Sequence, residues 1–560
     1  MRVDWLYLRA FKNLNNFEVD FDLSSERQVV VGRNSVGKSN VLEALAWIFR
    51  DLDLEEDSEF EYKIIYRCNG AYIKIETLEN YKVTKGKKLY PRKYYWVNEW
   101  NADAAPKNVD YIELKQTEFF KKNRPLVKRK EKQINSERLL PHYVFGYYSG
   151  VSERFNEAFH KHEERYYDEQ KKGEEAALRS MFLAKPHHSQ FSLLSFFASY
   201  DKSTREFLEK EFNIEKLKSV LFLLQEPYWY KSRRAALERD KKDRRFWGAG
   251  GKVRPFLESL YDNSFAPMSG SLRKNISIGQ TKTVEKRYCF LKDQEALDKL
   301  AEGLESKEVF SRLESAIFSD LLSLDGEDLK INLKLKGLDK PITFKEMSEG
   351  EQQLLTIIGL MRFTAQNESL FLLDEPDTHL NPAWCLDLLD NLRKYGVNPD
   401  NSQIIITTHS PLTFAGLDKN EVVIMDRAKD GFIRSEHPAH APRGMGFQAI
   451  LTSSFFALRS TLDRETLKNL DRKRYLALKK DLSPEEEHEL IKLDEELGKL
   501  DFSKATRDPL YLEFIRAMTE AQVDNPKIAK PILDSDERKI REDIARDIAE
   551  KISRKKREAT

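Results

Sequence analysis

An α/β fold, interrupted by a long helical insertion and followed by a helical C-terminal region, is predicted by three features of the 560-residue sequence. A short apolar strand, Gln28 to Val31, runs straight into a glycine-containing loop and then a helix from about Lys38 to Phe49. Two later apolar runs, SLFLLDEP and QIIITTHSP, end in polar residues, as buried strands do at the ligand-binding edge of an open sheet. Between these parts, residues 151 to 324 carry charged sequence of helical period with few turn signals, for example REFLEKEFNIEKLKSVLFLLQ.

The elements follow in order. RVDWLYLRAFKNLNNFEVDF (residues 2 to 21) reads as two strands joined by a loop from Lys12 to Asn16. In YKIIYRCNGAYIKIE, Asn69-Gly70 sits between two alternating runs, the signal of a two-residue hairpin. Strand-like pieces continue to about Tyr148. Strand character returns at LKINLKLKG and closes with the hairpin EVVIMDRAKDGFIRSE. The expected division is therefore 1–150, a first lobe; 151–324, the helical insertion; 325–440, a second lobe; and 441–560, a helical, charged C-terminal region.

Composition sets bounds on the function. Hydrophobic residues make up 40% and aromatics 11%, enough for real cores. The 94 basic and 93 acidic residues nearly cancel, so any attraction to nucleic acid must come from local patches. Cys68, Cys289 and Cys385 lie far apart without Cys-x-x-Cys spacing, against a zinc site or a disulfide scaffold. A charged, strand-like start and the lack of any long apolar run point to a cytoplasmic protein without a membrane span.

Gly32-Arg33-Asn34-Ser35-Val36-Gly37-Lys38-Ser39, followed by Asn40, is a complete G-x-x-x-x-G-K-S between a strand and a helix. Such a loop turns its backbone N–H groups toward phosphate oxygens, and the helix behind it adds a positive N-terminal dipole. Lys38 would neutralise the β- and γ-phosphates of ATP, and Ser39 would hold Mg²⁺. Asp374 and Glu375 end an apolar strand, where the first can support Mg²⁺ and the second can polarise a water. His409 leaves the next strand where a γ-phosphate sensor is needed. Ser348 precedes Glu349-Gly350-Glu351 and can cap a helix beginning near Glu351, presenting N–H groups and a hydroxyl to a γ-phosphate. Read singly, the Asp-Glu pair is a capped surface strand, the histidine a surface residue and the serine an ordinary helix start. Their order along one chain argues against that reading.

The ordered set GRNSVGKS, SEGEQQ, LFLLDEP, DTHL and TTHS resembles the Walker A, signature, Walker B, D-loop and switch-histidine series of ABC-type ATPases in the SMC, recombination-repair and OLD branch. The resemblance implies a two-lobed head with a mixed sheet. It also implies a head-to-head homodimer or higher assembly, in which Ser348 and Gly350 of one subunit close on ATP held by Lys38 and Ser39 of the other. Such ATPases carry a Gln after a strand of the first lobe; here HYVFGYYSG has none, and Tyr148 and Ser149 stand in its place. A narrower set, RVDWLYLRAFKNL, VFGYYSGVSERF and RDPLYLEFIRAM, is similar to defence-associated ATPases of the Septu type, including those encoded with bacterial retrons. That likeness implies a separate HNH nuclease as partner in antiphage defence.

Other classes fit less well. An OLD-type nuclease needs a strand ending in Asp-x-Asp, and Asp534-Ser535-Asp536 lies in charged helical sequence instead. An SMC-like protein that tethers or repairs DNA needs sustained heptads, which residues 151–324 lack. A transporter's ATPase subunit is poorly served by the long insertion and tail. Residues 231–254, KSRRAALERDKKDRRFWGAGGKVR, combine cations with Phe246 and Trp247, a pattern that suits either a nucleic-acid strand or a solvated helix face. Leu490, Leu493, Leu497 and Leu500 form a seam for a partner helix, for which the segment around Leu467, Leu470 and Leu478 is a candidate.

Overall fold

The computed structural model describes residues 1–560 except 23, 84–88, 100–109, 125, 129–130, 134–137, 151–152, 175–177, 199–201, 231–243, 278–279, 324–325, 365–367, 397–399, 480, 500–508, 530–534 and 560. Its centre is a seven-stranded sheet in the spatial order Met181–Leu183, Tyr143–Tyr148, Ser369–Asp374, Ser402–Thr407, Arg27–Gly32, Val422–Arg427, Ile433–Glu436. All neighbours are parallel except the last pair. Parallel strands covered on both faces need apolar side chains at nearly every position. Ser369–Asp374 and Ser402–Thr407 are accordingly buried throughout.

Strand alternation divides the core in two. Val29, Val31, Phe371, Leu373, Ile404 and Ile406 face a cluster formed with the middle of the chain. Val30, Leu370, Leu372, Ile405 and Val423 face the other way, onto the helix Lys38–Asp53 and an N-terminal antiparallel sheet. That second sheet contains the strands Arg2–Phe11, Leu14–Asp20, Tyr62–Cys68, Ala71–Val83, Leu89–Glu99 and Ile112–Leu114. Asn69 and Gly70 turn its central hairpin with φ of 47° and 73°, as their sequence pattern predicts.

The stretch 151–324 is not purely helical. Helices Asn156–Lys172, His187–Phe197, Lys202–Phe212, Val253–Asp262 and Ser306–Phe318 are present. The strands Ile214–Gln225, Met268–Ser277 and Gln280–Leu291 join Leu329–Leu335 and Ile342–Thr343 in a five-stranded antiparallel sheet. In REFLEKEFNIEKLKSVLFLLQ the helix stops at Phe212, and Asn213 takes a left-handed φ of 54°. The remainder then pairs as a strand, because Leu217, Val220, Phe222 and Leu224 all find cover. The boundary at residue 150 also fails to isolate a lobe, since Met181–Leu183 completes the central sheet beside Tyr143–Tyr148.

Of the basic segment, residues 231–243 lie outside the described residues, and Phe246 and Trp247 are 0% and 2% exposed. Both rings belong to the core, so neither offers a stacking surface to a nucleic acid.

A buried ion cluster fixes this middle region. Glu314 Oε2 forms an ion pair with Arg179 at 3.0 Å, and its Oε1 accepts from His188 Nε2 at 2.7 Å, with His187 Nε2 3.5 Å away. Two histidines and a glutamate at this spacing invite comparison with a metal site. However, His188 Nδ1 accepts the Lys185 N–H at 2.9 Å, so the ring proton resides on Nε2 and points at Glu314, where a metal would need a lone pair. Burial alone would raise the Glu314 carboxyl, but Arg179 and the histidines hold it well below the usual carboxylate range. Burial pushes His188 down to about 4, which keeps it neutral. Glu314→Gln leaves Arg179 buried without its anion. It should destabilise the protein by about 3 kcal/mol, within the range for breaking one side of a buried pair. Thermal unfolding checks this, and an unchanged Tm would contradict it.

The C-terminal region is helical among the described residues: Phe447–Thr452, Arg464–Leu478, Pro484–Lys499, Pro509–Asp524 and Ser535–Ala559. Arg464–Leu478 and Pro484–Lys499 form the expected hairpin, in which Leu476, Leu493 and Leu497 are buried and Arg472 meets Glu489 in a two-pronged contact at 2.9 and 2.7 Å. Leu500 and Asp534 lie outside the described residues; Ser535 and Asp536 begin a helix and not a strand end. No helix among the described residues is long and apolar enough to cross a membrane.

Candidate nucleotide site

The site gathers at the C-terminal ends of three adjacent strands, Ser369–Asp374, Ser402–Thr407 and Arg27–Gly32. Gly32 leaves its strand at φ 151°, and a Cβ there would lie 2.2 Å from the Met425 carbonyl oxygen, so only glycine fits. Gly37 caps the helix at φ 84°, and a Cβ there would meet Asn13 Oδ1 at 2.6 Å. Ser35 adopts a left-handed φ of 67°, while its carbonyl accepts from Asn13 Nδ2 at 2.9 Å. The first hairpin thus buttresses the loop from outside, with Asn34 and Ser35 exposed at its tip.

Lys38 Nζ donates to the carbonyls of Gly32 at 3.0 Å and Arg33 at 3.2 Å, and lies 2.9 Å from His409 Nε2. Burial lowers its pKa to about 8, against the pull of Glu375 and Asp374. The same burial, followed by the Lys38 charge, lowers the pKa of His409. Ser39 Oγ donates to Asp374 Oδ1 at 2.9 Å, and the Thr407 hydroxyl donates to the same oxygen. Burial raises the Asp374 carboxyl, opposed by these two hydrogen bonds. Glu375 holds a left-handed φ of 51°, which costs about 1–3 kcal/mol at a non-glycine residue. Its Oε1 stands 3.3 Å from His409 Nε2, and both side chains are partly open to water, at 39% and 37% exposed.

The donor set suits a magnesium nucleotide. Ser39 and Asp374 bring a hydroxyl and a carboxylate oxygen together, the hard ligands Mg²⁺ takes. Arg33 Nε and Nη2 are buried without a hydrogen-bond partner among the described residues, so an anion beside the loop would satisfy them. Asn40 differs from its expected place at the nucleotide. Its Nδ2 donates to Asn13 Oδ1 at 2.6 Å and its Oδ1 accepts from Arg154, so the amide is spent on the frame of the loop.

Ser348, Gly350 and Glu351 are not gathered into this cluster. The helix Glu349–Thr364 starts two residues earlier than expected and is closed by a capping box: Ser348 N and Oγ donate to Glu351 Oε2 at 2.6 and 2.8 Å, and Glu351 N donates back to Ser348 Oγ at 3.3 Å. Gly350 packs so closely under the His379 carbonyl that a Cβ would approach it to 2.6 Å, and His379 Nδ1 faces Glu349 at 3.3 Å. Asp377 is held by the hydroxyls of Thr408 and Thr413. The helix start and the loop Pro376–Leu380 therefore form one rigid unit beside the carboxylate strand. At the position lacking a glutamine, Ser149 Oγ lies 3.2 Å from Thr378 Oγ1, and Ser149 N donates to the Asp374 carbonyl at 3.3 Å.

Residues beyond the motifs complete the site. Arg154 bonds Glu43 at 3.1 Å as well as Asn40, Lys12 reaches Glu43 from the other side, and Thr407 holds Asp374. Asn13, Arg154 and Glu43 carry no local signature; only the tertiary fold brings them to the helix that follows the loop.

A mostly parallel sheet with a phosphate loop at its C-terminal edge, a histidine after the neighbouring strand and a carboxylate pair at the end of the next defines a P-loop ATPase of the ABC/SMC-like type. The chain belongs to the family described as "AAA domain, putative AbiEii toxin, Type IV TA system", whose model matches residues 29–415, more than half of its length. It is 26% identical over 207 residues to the Septu protein PtuA of Bacillus mycoides (strain KBAB4), a match that covers 35% of this chain and 28% of that relative. Similar solved structures include an SMC head bound to the C-terminal winged-helix domain of ScpA (TM-score 0.31, 13% identity, 78% of this chain and 98% of that one). An SMC head from Pyrococcus furiosus with an extended coiled coil, bound to the C-terminal domain of ScpA, is another (TM-score 0.30, 15% identity, 78% and 96%).

Proposed function

We propose that this ATPase binds ATP with Mg²⁺ at Gly32–Ser39, hydrolyses it through Glu375 and His409 in a head-to-head dimer, and uses the cycle to control a separate HNH-type nuclease in antiphage defence. The observation that carries the reading is the convergence of Lys38, Ser39, Asp374, Glu375 and His409 at one sheet edge. The likeness to a Septu protein supports the defence context. Ser39 and Asp374 would hold Mg²⁺, which when bound would supply positive charge to offset that of the phosphates. Lys38 then exchanges its backbone carbonyls for phosphate oxygens, which frees His409 Nε2. Glu375, reachable by water and close to His409, is placed to accept a proton from an attacking water, and His409, once Lys38 has left and the ring proton sits on Nε2, to donate a hydrogen bond toward the terminal phosphate. Ser348 and Gly350, rigidly mounted away from their own phosphate loop, are available to a second subunit.

Lys38→Ala tests the site and its biological role together. Charged hydrogen bonds contribute roughly 1.5–3 kcal/mol each, so losing Lys38 should weaken ATP binding on the order of a hundredfold. Expressed with its native neighbouring genes, the variant should also lose protection against phage in plaque assays. Unchanged ATP affinity would refute the site, and full protection despite lost affinity would refute the role given to the ATPase cycle.

A further inference from the structure

The C-terminal helices line a half-open cavity of about 900 Å³, well away in sequence from the phosphate loop and within the size range of small-molecule sites. Its apolar wall includes Leu467, Leu497, Ile515 and Met518, from three of the helices. Its charged lining is unbalanced: Arg459, Lys473, Arg474, Arg538 and Arg541 face two carboxylates, Asp494 and Glu542. Most of these charges are already engaged. Lys473 pairs with Asp494, Arg459 binds Asp471 at 2.5 Å and the Ala529 carbonyl at 2.8 Å, and Arg538 binds the Ser454 carbonyl at 3.1 Å with Glu542 3.8 Å away.

Arg541 differs from them. It lines the cavity partly buried, and among the described residues no hydrogen bond or ion pair engages its guanidinium. Burial and then the neighbouring Arg459 charge lower its pKa, with Asp471 and Glu542 opposing. A partly desolvated guanidinium with five donors and no anion in contact is a binding element for a phosphate or carboxylate group.

From this geometry we infer that the C-terminal helices bind a small organic phosphate, its apolar body against Leu497, Ile515 and Met518 and its anionic head on Arg541. The proposal stands apart from the nucleotide site and does not rest on the ATPase reading. Nucleotide-like and acyl-chain phosphates share this chemistry.

The test is calorimetric titration of the full chain with deoxyadenosine monophosphate, octyl phosphate and inorganic phosphate. At least one organic phosphate should bind with one-to-one stoichiometry, at least about tenfold tighter than inorganic phosphate, because the apolar wall adds to the head-group contact. Binding of the monophosphate alone identifies a nucleotide-like ligand, of octyl phosphate alone an acyl one, and of both a site that reads only head and apolar bulk. Arg541→Ala should weaken binding at least tenfold and Arg541→Lys less; Ala545→Phe, which intrudes into the cavity, should also weaken it; Lys38→Ala should leave it unchanged. Two results would overturn the proposal: no binding by either organic phosphate, or binding that neither Arg541→Ala nor Ala545→Phe reduces while both retain the wild-type Tm.

Discussion

Glu375→Gln is expected to bind ATP with near wild-type affinity and to hydrolyse it about 10²–10⁴-fold more slowly, the range for removing a general base. The amide has the same shape and can keep the left-handed backbone that Glu375 already occupies at φ 51°. What it loses is the capacity to take a proton from water. Mg²⁺ binding should survive, because Ser39 and Asp374 are untouched and their mutual contact does not involve Glu375. ATP should then persist, and with it the closed dimer proposed above. Single-turnover kinetics measures the chemical step directly. Turnover at the wild-type rate would place the base elsewhere, and lost ATP affinity would mean that Glu375 serves binding.

Much of this site is legible in the sequence because each motif carries its own scaffold. Gly32 and Gly37 lie between a valine-rich strand and a helix, and the structure shows why glycine is required at both, through the Met425 carbonyl at one and Asn13 at the other. The apolar runs before Asp374 and His409 identify central parallel strands because burial on both faces leaves no polar alternation. The middle of the chain is harder to read. Ile214–Gln225 follows a true helix, and its Lys and Glu residues continue the helical charge pattern, while its strand state depends on pairing with Gln280–Leu291 and Leu329–Leu335 far along the chain. Long-range pairing of this kind overrides local propensity. Phe246 and Trp247 mislead for a related reason: surrounding cations suggest an exposed patch, yet both rings are taken into the core. Arg154 is 111 residues from Glu43, and a contact at that separation leaves no trace in local spacing.

Ser348→Arg carries the other large effect. Ser348 is held by Glu351 in a capping box, and that helix start is locked to the loop Pro376–Leu380, away from its own phosphate loop. If it acts, it acts across an interface. ATP can favour the closed pair of heads only through contacts made there and not in the open monomer, so a bulky cation at this point removes the differential affinity that drives closure. The phosphate loop remains intact, and each subunit should bind ATP within a factor of about three of wild type.

The steady-state ATPase rate of Ser348→Arg, measured at ATP concentrations that saturate it, tests the composite site most directly. The account predicts a fall on the order of a hundredfold or more with binding preserved, because closure of the heads and not nucleotide affinity is lost. A Ser348→Arg protein that hydrolyses ATP at the wild-type rate as a monomer would contradict it.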